Sequence, residues 1–437
     1  MSPIAAAQVG VEGFPLKRTR GTESPNSRST AMIQPRLRTP MEPYSFSDAS
    51  NDTSLSIAHM TSVHSRDDVR IYHKECCALA RRGYSVRLLV ADGNGDSRAG
   101  GCTIIDVGRR RTRAIRFLVT TWRILGAALR ESASAYHIHD PELLAVGYFL
   151  RLRRKTVIYD AHEDLPRAVL SKEWIPRVLR VPMSIVCEAV EDWLATRMSA
   201  VVAATPAIQR RFGRLMPHVT LVANYPRLAD LASRGEVVER TPRICYVGGI
   251  ERIRGAVAMV RAMEHVDAEL DLVGPVYPSA LMLDLVREPG WPRVTYHGVL
   301  PRDEAQALMR RSSIGLLLFL PEPNHVTSQP NKLFEYMGAG LPVVASDFVS
   351  WRPLIAGQAC GKLVDPHDPI AIAAAIRQLL ESPTTAREMG ERGRSAVREH
   401  YSWESQETAL LSLYESLGLY GHSSLRTGKP PPQSGAV

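Results

Sequence analysis

The residues best suited to chemistry in this 437-residue chain lie in the segment 331–346, NKLFEYMGAGLPVVAS. Apolar residues at helical spacing leave Lys332 and Glu335 on another face of a short helix, and two glycines then end that helix before an apolar strand. Doubly wound folds bind phosphorylated ligands where a charged helix start meets the edge of the sheet. The segment therefore predicts a site for such a ligand.

A second segment, 246–255, has the residues that a phosphate site needs. Gly248 and Gly249 follow an apolar strand, and Arg254 stands where the next helix is expected to begin. Glycine lets the backbone come close to a phosphate, and an arginine at that point adds a fixed positive charge. A tight turn with a solvated arginine is the alternative, which the segment alone leaves open.

Histidines and carboxylates follow the strands of the N-terminal half. His137 and His139 alternate on one strand, so we expect only one of them, His139 at the strand end, to face a cleft. Asp160, His162, Glu163 and Asp164 could be imagined as a metal cluster. Their tight run suits a strand-to-helix loop better, and we expect no metal site.

Strand and helix patterns alternate from residue 54 onward, which predicts an α/β protein with parallel sheets and right-handed crossovers. The alternation stops in a polar stretch and then restarts, so we expect two Rossmann-like domains facing a cleft. The predicted parts are a disordered tail at 1–51, an N-terminal domain at 52–228, a linker at 229–242, a C-terminal domain at 243–402, a helix at 403–420 that packs back on the first domain, and a disordered tail at 421–437.

Composition narrows the classes of protein. The net charge of +9 and the pI near 9.3 suit nucleic acid, anionic lipid or phosphorylated small molecules. Nucleic acid is not expected, because no nucleic-acid-binding motif is present. The six cysteines lack metal spacing and are expected to be reduced. With no apolar run long enough to span a bilayer and no signal-peptide pattern, we expect a cytoplasmic protein.

One basic segment leaves a membrane contact open. Arg109 begins a cluster of arginines that leads into a predicted helix at about 112–131, which carries several apolar residues and Trp122. Such a helix could lie on the anionic inner face of a plasma membrane. A helix packed against a sheet, with a solvated basic end, explains the pattern equally well.

Several motifs together resemble the family-four retaining glycosyltransferases, the GT-B enzymes of bacterial surface-polysaccharide assembly (glycosyl transferases group 1). The resemblance covers about residues 54–417. The matching segments are 137–142 (HIHDPE), 160–164 (DAHED), 203–206 (AATP), 224–226 (NYP), 248–255, 297–300 (HGVL) and 331–347.

The resemblance implies roles for individual residues. Glu335 would accept hydrogen bonds from the ribose hydroxyls of a nucleotide-diphosphate sugar of the UDP or GDP type. Arg254 would bind the donor diphosphate, and His139 would contact the donor sugar near the reacting carbon. Other positions in the matching motifs complete the expected donor-binding set: Gly248, Gly249, Gly298, Val299, Leu300, Thr327, Ser328 and Asn331.

The acceptor, a glycan or a lipid-linked sugar, is expected against the loop after the first strand. The candidates there are His64, Arg66, Asp68 and Arg70, joined by His162 from the second motif. A solvated charge run would explain the four residues of the first loop nearly as well. No metal and no other cofactor is expected, because cations and helix N-termini can stabilise the departing diphosphate.

The chain departs from the family pattern at two positions of the donor site. Thr327 stands where the family commonly has a glutamate, and Gly249 stands where it has an arginine. Lys332 could supply the missing positive charge. These departures keep two alternatives open: a sugar-nucleotide 2-epimerase of the same fold, and a nucleotide-binding subunit without catalytic activity.

Overall fold

The computed structural model describes residues 54–109, 119–172, 174–231 and 242–421. Both predicted tails, apart from Gly421, and most of the predicted linker lie outside these residues. The fold is α/β with two mainly parallel sheets flanked by helices, as the alternation of patterns predicts. Both sheets belong to one compact unit.

The first sheet has eight strands in the order β3-β4-β2-β1-β5-β6-β7-β8, all parallel except the short edge strand β3. Its strands are β1 (Ser56–Met60), β2 (Ser85–Val90), β3 (Ser97–Ala99), β4 (Cys102–Asp106), β5 (Ala135–Ile138), β6 (Thr156–Ala161), β7 (Ala200–Ala203) and β8 (Val219–Leu221). Its helices are Val69–Cys76 (a π-helix), Cys77–Arg81, Thr121–Glu131, Leu144–Leu152, Leu165–Leu170, Arg177–Ala195, Pro206–Gly213 and Leu228–Leu231.

The second sheet has six parallel strands in the order β13-β11-β9-β14-β15-β16. They are β9 (Arg243–Val247), β11 (Glu269–Val273), β13 (Val294–Gly298), β14 (Ile314–Leu317), β15 (Val343–Ser346) and β16 (Gly361–Val364), and a separate pair is formed by β10 (Ile250–Glu251) and β12 (Val276–Tyr277). The helices are Ala256–Ala262, Leu281–Leu285, Arg302–Arg311, Asn331–Gly338, Arg352–Ile355, Pro369–Glu381, Pro383–His400 and Trp403–Ser416.

Each sheet is buried on both faces, because helices cover both sides of a parallel sheet. On β1, Ile57 packs into one core and Ala58 into the other, and Ile244 and Cys245 do the same on β9. This explains why the strands are apolar at consecutive positions rather than at alternate ones.

The last helix, Trp403–Ser416, returns to the first sheet. Trp403, Leu410 and Tyr414 lie in the same core as β1, and the Trp403 amide donates a hydrogen bond to the Pro226 carbonyl at 2.9 Å. The chain thus returns from the second sheet to the first through this helix.

Candidate active site

A cavity of about 410 Å³ lies between the carboxyl edges of the two sheets. The first sheet supplies His64, Asp68, Arg70 and His162 to its wall, and the second supplies Gln329, Asn331 and Phe334. Ligands of doubly wound folds bind at such edges, because loops and helix starts converge there. Four of the motifs singled out from the sequence, 160–164, 203–206, 224–226 and 331–347, therefore contribute residues to this cavity, whereas the segments 248–255 and 297–300 do not line it.

Lys332 lies against the first glycine of the 246–255 segment. Gly248 has φ +139°, and a Cβ at that position would approach the Lys332 Cε within 1.9 Å and its Nζ within 2.1 Å. Burial and the nearby Arg254 lower the pKa of Lys332 to about 8. The ammonium group is thus partly desolvated, and a bound anion would raise its pKa and so favour its charged form.

Arg254 lies against the second glycine. A Cβ at Gly249 would come within 3.3 Å of the Arg254 Nη1, and the Arg254 Nε is 3.2 Å from the Glu251 Oε1. Arg254 belongs to a 3₁₀ turn, Arg252–Arg254, rather than to the α-helix start that we predicted. The two cations therefore approach consecutive glycines at the end of β9.

Neighbouring strand ends continue this surface. The Gly248 amide donates to the Val273 carbonyl and the Gly274 amide to the Gly298 carbonyl, each at 2.7 Å. The predicted base-binding loop, Gly298 to Leu300, thus begins one strand away from the glycine pair, on the other side of Gly274. Val299 is exposed there, and Leu300 packs against the core.

The remaining donor candidates lie at the start of the helix Asn331–Gly338. Asn331 lines the cavity, while Glu335 is half-buried and its charge acts on Lys332. Thr327 and Ser328 lie half-buried in the preceding loop. The Ser328 hydroxyl donates to the His325 carbonyl at 2.9 Å, so it helps to fix the loop.

On the opposite side of the cavity, Arg70 forms a buried ion pair with Asp160. Its Nε and Nη2 donate to the two carboxylate oxygens at 2.9 and 2.8 Å, and its Nη1 donates to the Val222 carbonyl at 2.7 Å. Burial raises the pKa of Asp160, but the charges of Arg70 and the His162 ring outweigh it and hold that pKa well below its usual range. Asp160 is therefore an anion that organises this wall.

Two histidines surround the same carboxylate. His162 Nε2 lies 3.0 Å from Asp160 Oδ2, and His139 Nδ1 lies 3.1 Å from the His162 Nε2. Burial lowers the pKa of His139 to about 4, with Asp160 opposing the shift, so this ring is neutral near pH 7. His162 lines the cavity, whereas the His139 side chain is fully buried behind it.

The expectation that only one of His137 and His139 can face a given side is wrong. Residues two apart on a strand share a face, and the two rings stack with centroids 4.8 Å apart. Both rings point under the cavity wall, and His137 Nδ1 lies 2.9 Å from the Tyr414 hydroxyl. His139 is thus a buried partner of His162 rather than a side chain exposed in the cleft.

Comparisons with known proteins match both halves of the chain. The family described as "Glycosyl transferase 4-like domain" matches residues 70–225, and "Glycosyl transferases group 1" matches residues 241–382. The two matches contain the cavity-lining residues described above except His64 and Asp68, which precede residue 70. The chain is a glycosyltransferase of the GT-B type.

Individual relatives agree with this family at low identity. The chain is 24% identical to a glycogen synthase of Mycobacterium tuberculosis over 52% of its own length and 56% of that protein, so it spans about half of that relative. It is 25% identical to the lipopolysaccharide core biosynthesis glycosyltransferase LpsD of Rhizobium meliloti, over 77% of the chain and 92% of the relative.

Solved structures share the fold of this glycosyltransferase. A sucrose-phosphate synthase from Thermosynechococcus elongatus matches with a TM-score of 0.68 at 21% identity, over 83% of this chain and 99% of that one. Anabaena Alr3699/HepE in complex with UDP-glucose matches with a TM-score of 0.63 at 15% identity, over the same shares. At such identities the likeness concerns the fold alone.

One predicted acceptor residue, Arg66, is bonded to side chains outside the cavity lining. Arg66 donates to both carboxylate oxygens of Asp92 at 2.7 Å and to the Ser97 hydroxyl at 2.9 Å. Arg66 is not among the residues that line the cavity, and its role toward an acceptor stays a prediction. His64 and Asp68 do line the cavity, and Asp68 also caps the helix Val69–Cys76 through the amides of Arg70 and Ile71.

Sequence reasoning missed Lys74. Its ammonium group donates to the carbonyl and side-chain oxygens of Asn224, and burial lowers its pKa to about 7. Glu335 is among the charges that act on it, so Lys74 extends from the first sheet toward the donor side. Its position four residues after Arg70, on the same side of one helix, was a signal that could have found it.

Within the described part of the chain, two groups of side chains, all buried except half-buried His162, have ligand-type atoms within 4.8 Å of one another: His59, Glu75, His137 and His139, and His139, Asp160 and His162. Hydrogen bonds and ion pairs already connect them: the His59 Nδ1 lies 2.9 Å from the His139 Nε2, and Arg70 contacts Glu75 and Asp160. That the reaction needs no metal stays a prediction.

The basic segment suspected of membrane contact is only partly described. Residues 110–118 lie outside the described range, and the visible helix is Thr121–Glu131. Ile124 and Leu125 are buried in the core, as a helix packed against a sheet requires, while Trp122 is exposed. Among the described residues, no helix is both long and apolar enough to cross a bilayer.

Proposed function

We propose that this glycosyltransferase moves a sugar, with retention of configuration, from a nucleoside-diphosphate donor of the UDP or GDP type. The acceptor is a glycan or a lipid-linked sugar in surface-polysaccharide or glycolipid assembly. The observation that carries the proposal is the approach of Lys332 and Arg254 to Gly248 and Gly249 at the end of β9. Two cations against bare backbone suit a diphosphate.

The donor would lie along the edge of the second sheet. Arg254 and Lys332 hold the diphosphate, Glu335 accepts the ribose hydroxyls, and the loop Gly298 to Leu300 receives the base. The UDP-glucose complex of the Anabaena structure supports a nucleotide-sugar donor for this fold. Thr327, Ser328 and Asn331 face the same side and are assigned to the sugar and phosphate.

Breaking the sugar–phosphate bond places negative charge on the departing diphosphate and positive character on the sugar. Lys332 and Arg254 stabilise the negative charge on the diphosphate. Because that charge is larger in the transition state than in the bound donor, this stabilisation lowers the barrier. The acceptor hydroxyl attacks from the same face, and the departing phosphate takes its proton. Asp68 is engaged as a helix cap and bonded to His64, so we assign it acceptor positioning rather than nucleophilic attack.

The acceptor side is assigned to His64, Asp68, Arg70 and His162. His162 lines the cavity, and the neutral His139 ring behind it holds its orientation through the 3.1 Å contact. His139 thus acts through His162. The lipopolysaccharide core assignment of the Rhizobium meliloti relative supports a surface-glycan acceptor.

A donor panel tests this function. Release of nucleoside diphosphate is measured for UDP- and GDP-sugars with lipid-linked and glycan acceptors, and the anomeric configuration of the product is read by NMR. We expect acceptor-dependent release with one donor class and retention. An isomeric sugar nucleotide formed without acceptor would identify an epimerase, and tight nucleotide binding without turnover would identify a non-catalytic subunit.

A further inference from the structure

The helix Arg177–Ala195 exposes an apolar face to solvent along its whole length. At 3.6 residues per turn, six of its large side chains fall on one half of the helix. They are Val178, Val181, Ile185, Val186, Val190 and Trp193, with exposed fractions between 49% and 82%. Exposed apolar surface on this scale marks an interaction site.

The acidic residues of this helix are paired with arginines of neighbouring helices. Glu188 accepts from Arg167 at 2.6 Å, and Glu191 and Asp192 both pair with Arg211. Glu191 is buried, whereas the side chains of Glu188 and Asp192 keep exposed fractions of 34% and 25%. Each carboxylate of the helix thus has an arginine partner, which reduces its repulsion of anionic lipid.

Cations and tryptophans stand at both ends of the apolar face. Exposed Lys172, Trp174 and Arg177 lie at its start. At its end the Arg197 guanidinium lies 3.8 Å from the centre of the Trp193 ring. Tryptophan at the ends and cations around an apolar stripe are typical of a helix lying in a membrane interface.

We propose that the helix Arg177–Ala195 docks this glycosyltransferase on an anionic lipid surface. A second copy of the chain is a weaker fit, since an antiparallel pair of these helices would bring Arg177 near Arg197 of the other copy. The negative charge of lipid headgroups suits these cations at both ends.

The helix that carries the docking face packs, through its buried side, on the element that follows the acceptor side of the cavity. The Ser184 hydroxyl donates to the Pro166 carbonyl at 2.7 Å, which ties this helix to the helix Leu165–Leu170. The loop just before that shorter helix contains His162 and Glu163, which line the cavity. Resting on the proposed function, this placement assigns the acceptor to the lipid-linked class, which reaches the cavity from the bilayer.

Flotation of the full chain with vesicles tests the proposal. Phosphatidylcholine vesicles are compared with vesicles that also contain phosphatidylglycerol, and Ile185→Glu is compared with Ile370→Glu, a matched change on an equally exposed isoleucine of the second sheet's helices. Ile185→Ser and Ile370→Ser remove the apolar side chain without adding charge. Circular dichroism checks that each variant is folded.

We expect the wild type to float with the anionic vesicles, and Ile185→Glu to lower the bound fraction about tenfold or more, since an apolar contact is replaced by a charge that anionic lipid repels. Ile370→Glu should match the wild type. Absence of vesicle binding by the wild type, or equal losses in both variants, would overturn the proposal. So would a dimer in solution that Ile185→Glu separates into monomers.

These outcomes are independent of the proposed reaction. Turnover with a soluble acceptor and no lipid binding would reject the docking face and leave the transferase. Lipid binding without turnover on any donor would reject the proposed transferase reaction and leave the docking face.

Discussion

Lys332 occupies the space that a side chain at Gly248 would need. The distance from the built Cβ to the lysine Cε is 1.9 Å, and the glycine also has a φ of +139°, which other residues rarely adopt. The position of the Lys332 side chain therefore depends on the absence of a side chain at Gly248, so that a substitution at Gly248 also displaces Lys332.

Gly248→Ala should lower kcat/KM for the donor by roughly one to two orders of magnitude, because the new methyl group displaces Lys332 and strains the turn. Steady-state kinetics with the donor varied measures the loss. Gly213→Ala is the control, since a Cβ there meets no atom within 4 Å. A Gly248→Ala enzyme with wild-type kinetics would show that Lys332 need not lie there.

Arg254→Ala and Lys332→Ala should each lower kcat by about ten- to a hundredfold, because both remove positive charge that is most needed as the diphosphate departs. The double variant should be worse than either. Arg252→Ala, in which an exposed arginine of the same turn is removed, serves as the control. A Lys332→Ala enzyme with unchanged kcat would leave Lys332 without a role in charge stabilisation.

The pH dependence of kcat/KM should reflect the titration of Lys332. Its pKa is about 8, so the ammonium form that attracts diphosphate predominates below that pH and is lost above it. We therefore expect kcat/KM to fall as pH rises through about 8. Lys332→Arg stays charged throughout this range and should keep its activity to higher pH. The same fall in both enzymes would assign it to another group.

Glu335→Gln should raise the donor KM by roughly tenfold or more with a smaller effect on kcat, since a hydrogen bond to a charged group contributes about 1.5–3 kcal/mol. A donor with 2′-deoxyribose tests the partner directly. If Glu335 accepts that hydroxyl, the deoxy donor should lose much less affinity with the variant than with the wild type. Equal losses would place the ribose elsewhere.

Asp160→Asn should destabilise the protein by up to about 3–5 kcal/mol, because it removes the doubly hydrogen-bonded one of the two buried carboxylates that pair with Arg70, the other being Glu75. Chemical denaturation at neutral pH measures the change. Asp267→Asn, at an almost fully exposed carboxylate, is the control and should cost below about 1 kcal/mol. The folded pKa of Asp160 is lowered, so its contribution holds above the ordinary aspartate pKa and fades as pH falls below it.

The fold could be predicted from the sequence because its strands are short apolar runs separated by helical patterns. The apolar run from Ile314 to Leu320 predicts a strand at the right place but with the wrong end, since β14 stops at Leu317. The antiparallel edge strand β3 was missed, because its three residues, Ser97, Arg98 and Ala99, are too few and too polar to form an apolar pattern.

The proximity of Lys332 and Arg254 to the two glycines follows from two neighbouring strands. Gly248, Gly249 and Arg254 follow β9, and Lys332 belongs to the helix Asn331–Gly338, which comes after the adjacent strand β14. Their role in binding a donor stays a prediction. Arg66 could not be placed from sequence, because its orientation depends on Asp92, 26 residues away. Lys74 owes its position to Asn224, which is even more distant.

The central claim is that Lys332 and Arg254 hold the diphosphate of a nucleotide-sugar donor. Isothermal titration calorimetry tests it most directly. UDP, GDP and the corresponding nucleosides, uridine and guanosine, are each titrated into the wild type and into the Lys332→Ala/Arg254→Ala double variant. The wild type should bind one diphosphate much more tightly than its nucleoside, and the double variant should lose most of that difference. Equal preference for the diphosphate in both proteins would contradict the account.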